Sequence, residues 1–156
     1  MKSYRPTSTS RRHMSGIDFR KIVTVNEPEK SLTSGFRRGM GRNNSGRITT
    51  RHKGGGHKRL FRAVDFSYDK HEIPFTIKTI EYDPNRSGFI GLAVYKDGEK
   101  RYVLLHNNAK VGDIYIVSEN APITPGNRLP LGNITVGTFV YNVELKHNGG
   151  AKIARS

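Results

Sequence analysis

The sequence has no cysteine among its 156 residues. That absence excludes a disulfide framework, a thiolate metal site and a cysteine nucleophile. No run of about eighteen apolar residues occurs, so no segment could cross a membrane as a helix, and the first residues lack the apolar centre of a secretory signal. We therefore expect a soluble intracellular protein.

Acidic residues are scarce, and they are unevenly distributed. The chain has 27 Lys and Arg against 13 Asp and Glu, a net charge of +14. Residues 1–60 hold 15 of the basic residues and only three acidic ones, a net charge of +12, so the remaining 96 residues carry only +2. A basic arm beside a nearly neutral body is typical of nucleic-acid-binding proteins. The composition therefore predicts a polyanionic partner.

The most basic stretch, residues 35–56, also lacks any periodic apolar pattern. It contains seven glycines, which predicts an extended irregular chain without helix or strand. No acidic residue lies between Glu29 and Asp65, so the segment cannot neutralise its own charge. We expect it to be disordered until a polyphosphate surface orders it.

Short apolar runs at close spacing predict an all-β body. Asp97-Gly98 predicts a hairpin with a type I′ turn, and Asp83-Pro84-Asn85 predicts another turn. Several strands in so short a body favour a small closed barrel of the oligonucleotide-binding (OB) type, since an open sheet would leave its edges exposed. The five predicted strands, which are rich in β-branched and aromatic residues, lie within residues 60–66, 75–82, 89–95, 102–106 and 113–117.

The last part of the chain predicts a second β element. After a connector rich in proline, apolar residues resume from Val136 onwards. We therefore predict three regions: a basic RNA-binding arm (1–60), an OB-type barrel (61–120), and a connector with the start of a second, Src-homology-like small barrel (121–156). About five strands with their turns need more residues than remain. We expect a separate chain to complete this second barrel.

Two alternatives to RNA binding, a nucleotide-binding P-loop and a metal site, each lack residues that they require. Gly41 and Gly46 have the spacing of a P-loop, but Arg47 stands where that loop needs lysine. His52 and His57 could in principle hold a metal, yet zinc needs three or four ligands and no carboxylate is near. No catalytic constellation is supported, so we predict no cofactor, no metal and no enzymatic activity.

The basic stretch itself resembles a known signature. Residues 41–59, which read Gly-Arg-Asn-Asn-Ser-Gly-Arg-Ile-Thr-Thr-Arg-His-Lys-Gly-Gly-Gly-His-Lys-Arg, strongly resemble that of the ribosomal protein two family of the large subunit. The resemblance implies an OB-type barrel and a second small barrel, both anchored on large-subunit rRNA, with an arm threaded between RNA helices. Further matches along almost the whole chain lie at residues 6–13, 65–66, 81–87, 95–102 and 129–138.

The resemblance also bears on location. It assigns residues 6–13 to the mature family pattern rather than to a removable transit peptide. The family continues past residue 156 into a basic tail near the catalytic centre of the ribosome, so no role in peptide-bond formation is implied for this chain. Because a divided gene is more typical of an organelle, we expect a mitochondrial, organelle-encoded ribosomal protein rather than a bacterial one, bound to rRNA and to neighbouring ribosomal proteins.

Charge and resemblance together predict a set of RNA-binding residues. Arg and Lys suit phosphates, while Asn, Thr, His and Gly suit hydrogen bonding, stacking or close backbone approach. Lys100 and Arg101 are either ordinary solvated charges or an extension of the same surface. The alternative function is a free-standing OB-type single-stranded nucleic-acid-binding protein, which would carry aromatic platforms on its strands. The predicted set is Arg11, Arg12, His13, Arg37, Arg38, Arg42, Asn43, Asn44, Arg47, Thr49, Thr50, Arg51, His52, Lys53, Gly54, Gly55, Gly56, His57, Lys58, Arg59 and Arg86.

Overall fold

The computed structural model describes residues 1–35 and 39–155, and most of its regular structure is β. Its single α-helix, α1 (Phe19–Ile22), has four residues, and three 3-10 turns occupy Thr9–Arg11, Lys30–Leu32 and Leu131–Asn133. No helix in the described ranges has the length and hydropathy to cross a membrane. The strands are β1 (Lys2–Ser3), β2 (Ser15–Gly16), β3 (Thr33–Gly35), β4 (Leu60–Arg62), β5 (Phe75–Glu81), β6 (Ile90–Tyr95), β7 (Lys100–Leu104), β8 (Ile114–Tyr115), β9 (Val143–Glu144) and β10 (Ala151–Ile153).

Four strands form a curled antiparallel sheet in the order β7-β6-β5-β8. β3 and β4 form a second antiparallel pair. A parallel bridge from Val64 to Tyr102 joins the chain after β4 to β7, which extends the sheet towards a half-barrel. The predicted all-β, OB-type fold is confirmed, and each of β4 to β8 overlaps one predicted strand.

The position of the core follows from the alternation of buried and exposed side chains along the strands. In β5, Phe75 and Ile77 are buried while Thr76 and Lys78 are exposed, the period of two expected for a sheet with one face on the core. A register shift follows Ile77, so the pattern changes phase at that point. Burial of each large apolar side chain contributes about 1.5 to 3 kcal/mol. The main cluster consists of Tyr68, Phe75, Ile77, Ile80, Ala93, Tyr95, Val103, Tyr115 and Val117.

Strand β6 is buried on both faces. Its outer residues Ile90 and Leu92 form a second cluster with Tyr102, and Leu32 and Val64 pack against that cluster. Leu32 belongs to the predicted arm, so part of the arm supplies core contacts. Removing it would expose apolar surface of the central strand.

Hydrogen bonds also hold residues 24–35 against the sheet. The backbone N–H of Thr24 donates to the carbonyl of Ile80 at 3.0 Å, and the N–H of Ile80 donates to Oγ1 of Thr24 at 2.9 Å. The N–H of Glu29 donates to the phenol oxygen of Tyr102 at 2.8 Å. The middle part of the predicted arm therefore lies on the body, and the division at residue 60 stays a prediction.

The hairpin between β6 and β7 is present, but the predicted turn type is wrong. A type I′ turn needs positive φ at both central residues, whereas φ is +87° at Gly98 and is not positive at Asp97. The N–H of Gly98 donates to the carbonyl of Tyr95 at 2.9 Å. Oδ1 of Asp97 accepts from the N–H of Glu99 at 3.1 Å, a side-chain bond that favours this three-residue loop with Gly98 in the left-handed position.

The turn predicted at residues 83–85 is confirmed, and a fully buried carboxylate holds it. Asp83 is 0 % exposed. Its Oδ1 accepts from the N–H of Asn85 at 2.9 Å, and its Oδ2 accepts from Nε of Arg86 at 2.6 Å. The guanidinium of Arg59 donates to the carbonyl of Pro84, so the start of β4 is tied to this turn.

Residues after β8 pack back against the chain at Phe66 and Tyr68. The guanidinium of Arg128 lies 4.5 Å from the ring centre of Tyr68 and forms a salt bridge with Glu144. The N–H of Ala151 donates to the carbonyl of Phe66 at 2.8 Å. The strands described after β8 are the antiparallel ribbon of β9 and β10, and a second barrel stays a prediction.

Replacing Asp83 by alanine should lower the free energy of unfolding by about 3 kcal/mol, because it leaves the guanidinium of Arg86 and the N–H of Asn85 without their acceptor. Urea denaturation at neutral pH measures the loss. Asp69→Ala is the control: it also removes one carboxylate from a salt bridge, with Arg101, but on an exposed side chain, and it should change stability little. Equal losses in the two variants would contradict the role given to Asp83.

Candidate RNA-binding interface

The described basic residues differ in whether they form salt bridges. Within residues 1–35 and 39–60, no Lys or Arg side chain takes part in one. The unpaired positive charge is therefore concentrated in the predicted arm. The cations that do form salt bridges all belong to the body: Lys70, Arg86, Lys100, Arg101 and Arg128.

The two cations beside the β6–β7 hairpin are engaged with carboxylates of the protein. Nζ of Lys100 lies 2.8 Å from Oε2 of Glu29, and this contact lowers the pKa of Glu29. Arg101 lies 2.8 Å from Oδ2 of Asp65 and also bonds Asp69, whose pKa it lowers. This geometry favours the interpretation of Lys100 and Arg101 as internally balanced charges over an extension of the RNA surface.

Two predicted RNA-binding residues also have protein partners. Arg86 donates to Asp83, its guanidinium lies 5.3 Å from the ring centre of Phe66, and its side chain is 12 % exposed. Arg59 donates to the carbonyl of Pro84. These contacts fix the positions of both guanidinium groups, and their contact with RNA stays a prediction.

Residues 41–50 form a closed loop rather than the extended chain that we predicted. The carbonyl of Gly41 accepts from the N–H of Thr50 at 3.1 Å, and Oδ1 of Asn43 accepts from the N–H of Arg47 at 2.9 Å. Gly41 has φ of +65°, and a Cβ there would lie 2.2 Å from the carbonyl oxygen of Thr50. The prediction of an extended chain was therefore wrong for residues 41–50. Hydrogen bonds of the backbone and of the Asn43 side chain close this loop, and such bonds leave no apolar pattern in the sequence.

The loop belongs to a longer exposed strip. Every residue from 42 to 58 is exposed, and Nη1 of Arg42 donates to the carbonyl of Gly46 at 2.9 Å, which holds one guanidinium along the loop. The structure thus brings most of the predicted set to one continuous stretch of surface. On this strip lie Arg42, Asn43, Asn44, Arg47, Thr49, Thr50, Arg51, His52, Lys53, Gly54, Gly55, Gly56, His57 and Lys58.

The other predicted residues lie elsewhere. Arg11, Arg12 and His13 are exposed in the segment between β1 and β2, where the guanidinium of Arg11 lies 5.7 Å from the ring centre of Tyr4. Arg37 and Arg38 lie outside the described residues. In the part of the chain that is described, no three His, Asp or Glu side chains come together as a possible metal site.

Glycines in the strip adopt conformations that other residues avoid. Gly54 has φ of +126° and Gly55 has φ of +68°, yet a Cβ at either would meet no atom within 4 Å. The protein therefore leaves open space above this backbone. An incoming surface could approach it closely.

Sequence analysis overlooked an aromatic cluster. The ring centre of Phe19 lies 5.3 Å from that of Tyr82 and 5.8 Å from that of Phe89. Phe19 and Tyr82 are both about half exposed, and Arg20 and Lys21 follow Phe19. In the sequence, Phe19 is only an aromatic residue followed by two cations. That pattern does not indicate that Phe19 packs against Tyr82, which lies more than 60 residues further along the chain.

Aromatic residues of the four-stranded sheet are placed differently. Phe75, Tyr95, Tyr102 and Tyr115 are all buried. Burial raises the pKa of Tyr95 to about 12, so its phenol stays neutral at neutral pH. These strands therefore carry no exposed ring on which a base could stack, as the alternative of a free-standing single-strand binder requires.

Comparison with known families agrees with this geometry. The model of the family described as Ribosomal Proteins L2, RNA binding N-terminal domain, matches residues 29–118. The chain belongs to the ribosomal protein L2 family. The L2 match begins at Glu29, where the chain contacts the sheet, and it includes both the exposed strip and the half-barrel. The predicted family and a ribosomal RNA-binding structural role are therefore confirmed. The resemblances at residues 6–13 and 129–138 lie outside the match and stay predictions.

Replacing Gly55 tests whether RNA approaches the glycine backbone. Gly55→Ala strains the left-handed φ, whereas Gly55→Asn adds a side chain at a φ that Asn tolerates. We expect both variants to lower the affinity for large-subunit rRNA, measured by filter binding. Gly98→Asn, at φ of +87° and in open space, should bind like the wild type. Normal binding by Gly55→Asn would mean that only the backbone conformation matters.

Proposed function

We propose that this L2 protein is a structural constituent of the large ribosomal subunit, in which the exposed strip of residues 42–58 neutralises and braces rRNA phosphates. The half-barrel fixes the position of the strip, and together they support subunit assembly and translation. The observation that carries the proposal is the distribution of paired charge: five of the twelve Lys and Arg residues of the body form salt bridges, and none of the described arm cations does.

The arrangement suits double-helical RNA. Proteins recognise A-form RNA mainly through phosphates, 2′-hydroxyls and shape. Arginine offers a planar fork of donors that fits a phosphate. The closed loop at residues 41–50 fixes the backbone that carries Arg42 and Arg47 and holds the guanidinium of Arg42 on the carbonyl of Gly46, which reduces the entropy lost on binding.

Charge replacement tests this proposal. The variant Arg42→Gln/Arg47→Gln/Arg51→Gln/Lys58→Gln should keep its fold, because these side chains are exposed, and should bind large-subunit rRNA weakly. Each lost phosphate contact should reduce the slope of log affinity against log salt by about 0.7 to 0.9. Fluorescence anisotropy over a salt series measures both quantities.

The control variant replaces four exposed body lysines that form no described salt bridge, Lys96, Lys110, Lys146 and Lys152, by glutamine. It removes the same charge, so non-specific attraction falls equally in both variants. We expect its salt slope to stay close to that of the wild type. If both variants lose affinity and slope alike, total charge rather than the strip governs binding, and the proposal fails.

We also propose that a separate polypeptide chain covers part of residues 121–155. Val136 and Phe139 are fully exposed, and Leu145 is two-thirds exposed. Large apolar side chains left exposed within one short stretch of chain are the type of surface at which other proteins bind. A strand from a partner would cover them and extend the short ribbon of β9 and β10.

A photo-crosslinker in place of Phe139 identifies that partner in assembled large subunits. We expect an adduct with a protein chain, identified by mass spectrometry, and none from the same crosslinker in place of exposed Lys96. An adduct with rRNA alone, or within the same polypeptide, would refute a separate chain. We predict that the protein belongs to a mitochondrial ribosome. A captured chain that is a separate mitochondrial protein would support this prediction.

A further inference from the structure

An open groove lies between the half-barrel and residues 121–155. It has a volume of about 1570 Å³, which is more than the roughly 300 to 1000 Å³ of a pocket for a drug-sized ligand. Tyr68 and Glu72 line the groove from the body, and Asn142, Val143 and Leu145 line it from the later part of the chain. A groove of this size suits a segment of polypeptide better than a small molecule.

The backbone around the groove is strained. Six non-glycine residues in the described part of the chain have positive φ, and five of them line the groove: Tyr68, Glu72, Asn142, Asn148 and Ala154. Asn adopts this conformation readily, whereas Tyr, Glu and Ala do so at a cost in free energy. Strain of this kind is typical of places where a protein holds a ligand.

Asn142 has a buried acceptor that no donor reaches. The residue is 7 % exposed, its backbone N–H donates to the carbonyl of Ala154 at 2.9 Å, and its Nδ2 donates to the phenol oxygen of Tyr68 at 3.1 Å. Its Oδ1 is buried and accepts no hydrogen bond from the described residues. A buried acceptor without a donor destabilises the protein. The groove therefore offers one acceptor to an incoming N–H group.

The strand that follows Asn142 has a free edge. In the described sheets β9 pairs only with β10, so its other edge presents backbone donors and acceptors that no strand uses. Phe139 is fully exposed and Leu145 is two-thirds exposed, and both line the groove. An extended segment can add to such an edge as a further strand, with main-chain hydrogen bonds for affinity and apolar contacts for specificity.

The charge of the groove favours protein over RNA as its occupant. Besides histidines, two basic and three acidic side chains line it, a net charge of 2 − 3 = −1: Arg128, Lys146, Glu72, Glu119 and Glu144. Arg128 and Glu144 balance each other in a salt bridge. The whole chain carries +14, so the groove lies apart from the positive charge that attracts phosphates.

We propose that the groove binds an extended, uncharged segment of a second protein chain, and that Asn142 determines where this segment lies. The segment pairs with the free edge of β9 and donates one backbone N–H to Oδ1 of Asn142. Its apolar side chains cover Phe139 and Leu145. That a separate chain is present rests on the proposed function.

Hydrogen exchange at the backbone amides of residues 143–145, measured by mass spectrometry, tests this pairing. We expect fast exchange in the free protein, because β9 is a short strand with a single partner strand. In assembled large subunits the bound segment should slow this exchange by about tenfold or more, since its carbonyls would accept from the same amides.

Variants test the role of Asn142. Asn142→Gly removes the acceptor and keeps the backbone conformation, because glycine adopts positive φ without strain. In assembled subunits it should reduce the protection of residues 143–145 by about five- to tenfold, the contribution of one hydrogen bond. In the free protein it should exchange like the wild type.

Two further variants support the interpretation. Phe139→Ser changes a fully exposed side chain, so it should fold normally and should also reduce the protection. It decides the matter if Asn142→Gly does not fold. Asn120→Gly removes the same amide group from an exposed turn outside the groove, and it should keep the full protection.

A photo-crosslinker in place of Leu145 identifies the occupant in assembled subunits. We expect an adduct with a separate protein chain, at a segment that has apolar residues at alternate positions and no cluster of charge. An adduct with rRNA, with a second copy of this chain or within the same polypeptide would overturn the proposal.

Different results would refute the segment and the proposed function. If the crosslinker at Phe139 captures a separate chain but the amides of β9 exchange as in the free protein, the segment is wrong and the proposed partner stands. The same conclusion follows if Asn142→Gly and Phe139→Ser both leave the protection unchanged. Wild-type protein that never enters large subunits would refute the proposed function, and with it the segment.

Discussion

Positive charge that the protein does not balance by itself is the constraint on which the rest of this structure depends. In the body, salt bridges pair Lys70, Arg86 and Arg101 with nearby carboxylates, and a compact sheet can form around them. In the strip at 42–58, no described cation has such a partner. Like charges that cannot be paired must stay in water or meet an external anion, which explains why the whole strip is exposed.

An exposed strip can brace RNA only if something holds it in place, and a buried network does so here. The phenol of Tyr102 accepts from the N–H of Glu29 and donates to Oε2 of Glu81 at 2.7 Å. Oε1 of Glu81 accepts from Thr79 at 2.9 Å. This chain of bonds runs from the start of the L2 match into β7 and β5, so Glu29 is anchored on the sheet.

The parts of the fold that follow from side-chain pattern could be predicted from the sequence. The short run of β-branched and aromatic residues predicted β5, and the surplus of Lys and Arg over acid predicted a basic arm, of which residues 42–58 are exposed. The closed loop at 41–50 could not be predicted, because the carbonyl of Gly41 and the side chain of Asn43 hold it, and neither produces an apolar period. The type I′ turn was wrong for a similar reason: the Asp97 carboxylate bonds a backbone N–H and selects another loop.

The predicted site residues also divide into those that follow from the sequence pattern and those that depend on the three-dimensional fold. All predicted positions from 42 to 58 are exposed, since exposure follows from charge without knowledge of the fold. Arg86 and Arg62 depend instead on three-dimensional neighbours that the sequence does not specify. Buried Asp83 gives Arg86 a folding role, whereas Arg62 is buried without any such carboxylate. Two arginines of similar burial therefore differ in their partners: the carboxylate of Asp83 balances the charge of Arg86, whereas the guanidinium of Arg62 donates to the neutral carbonyl of Leu60.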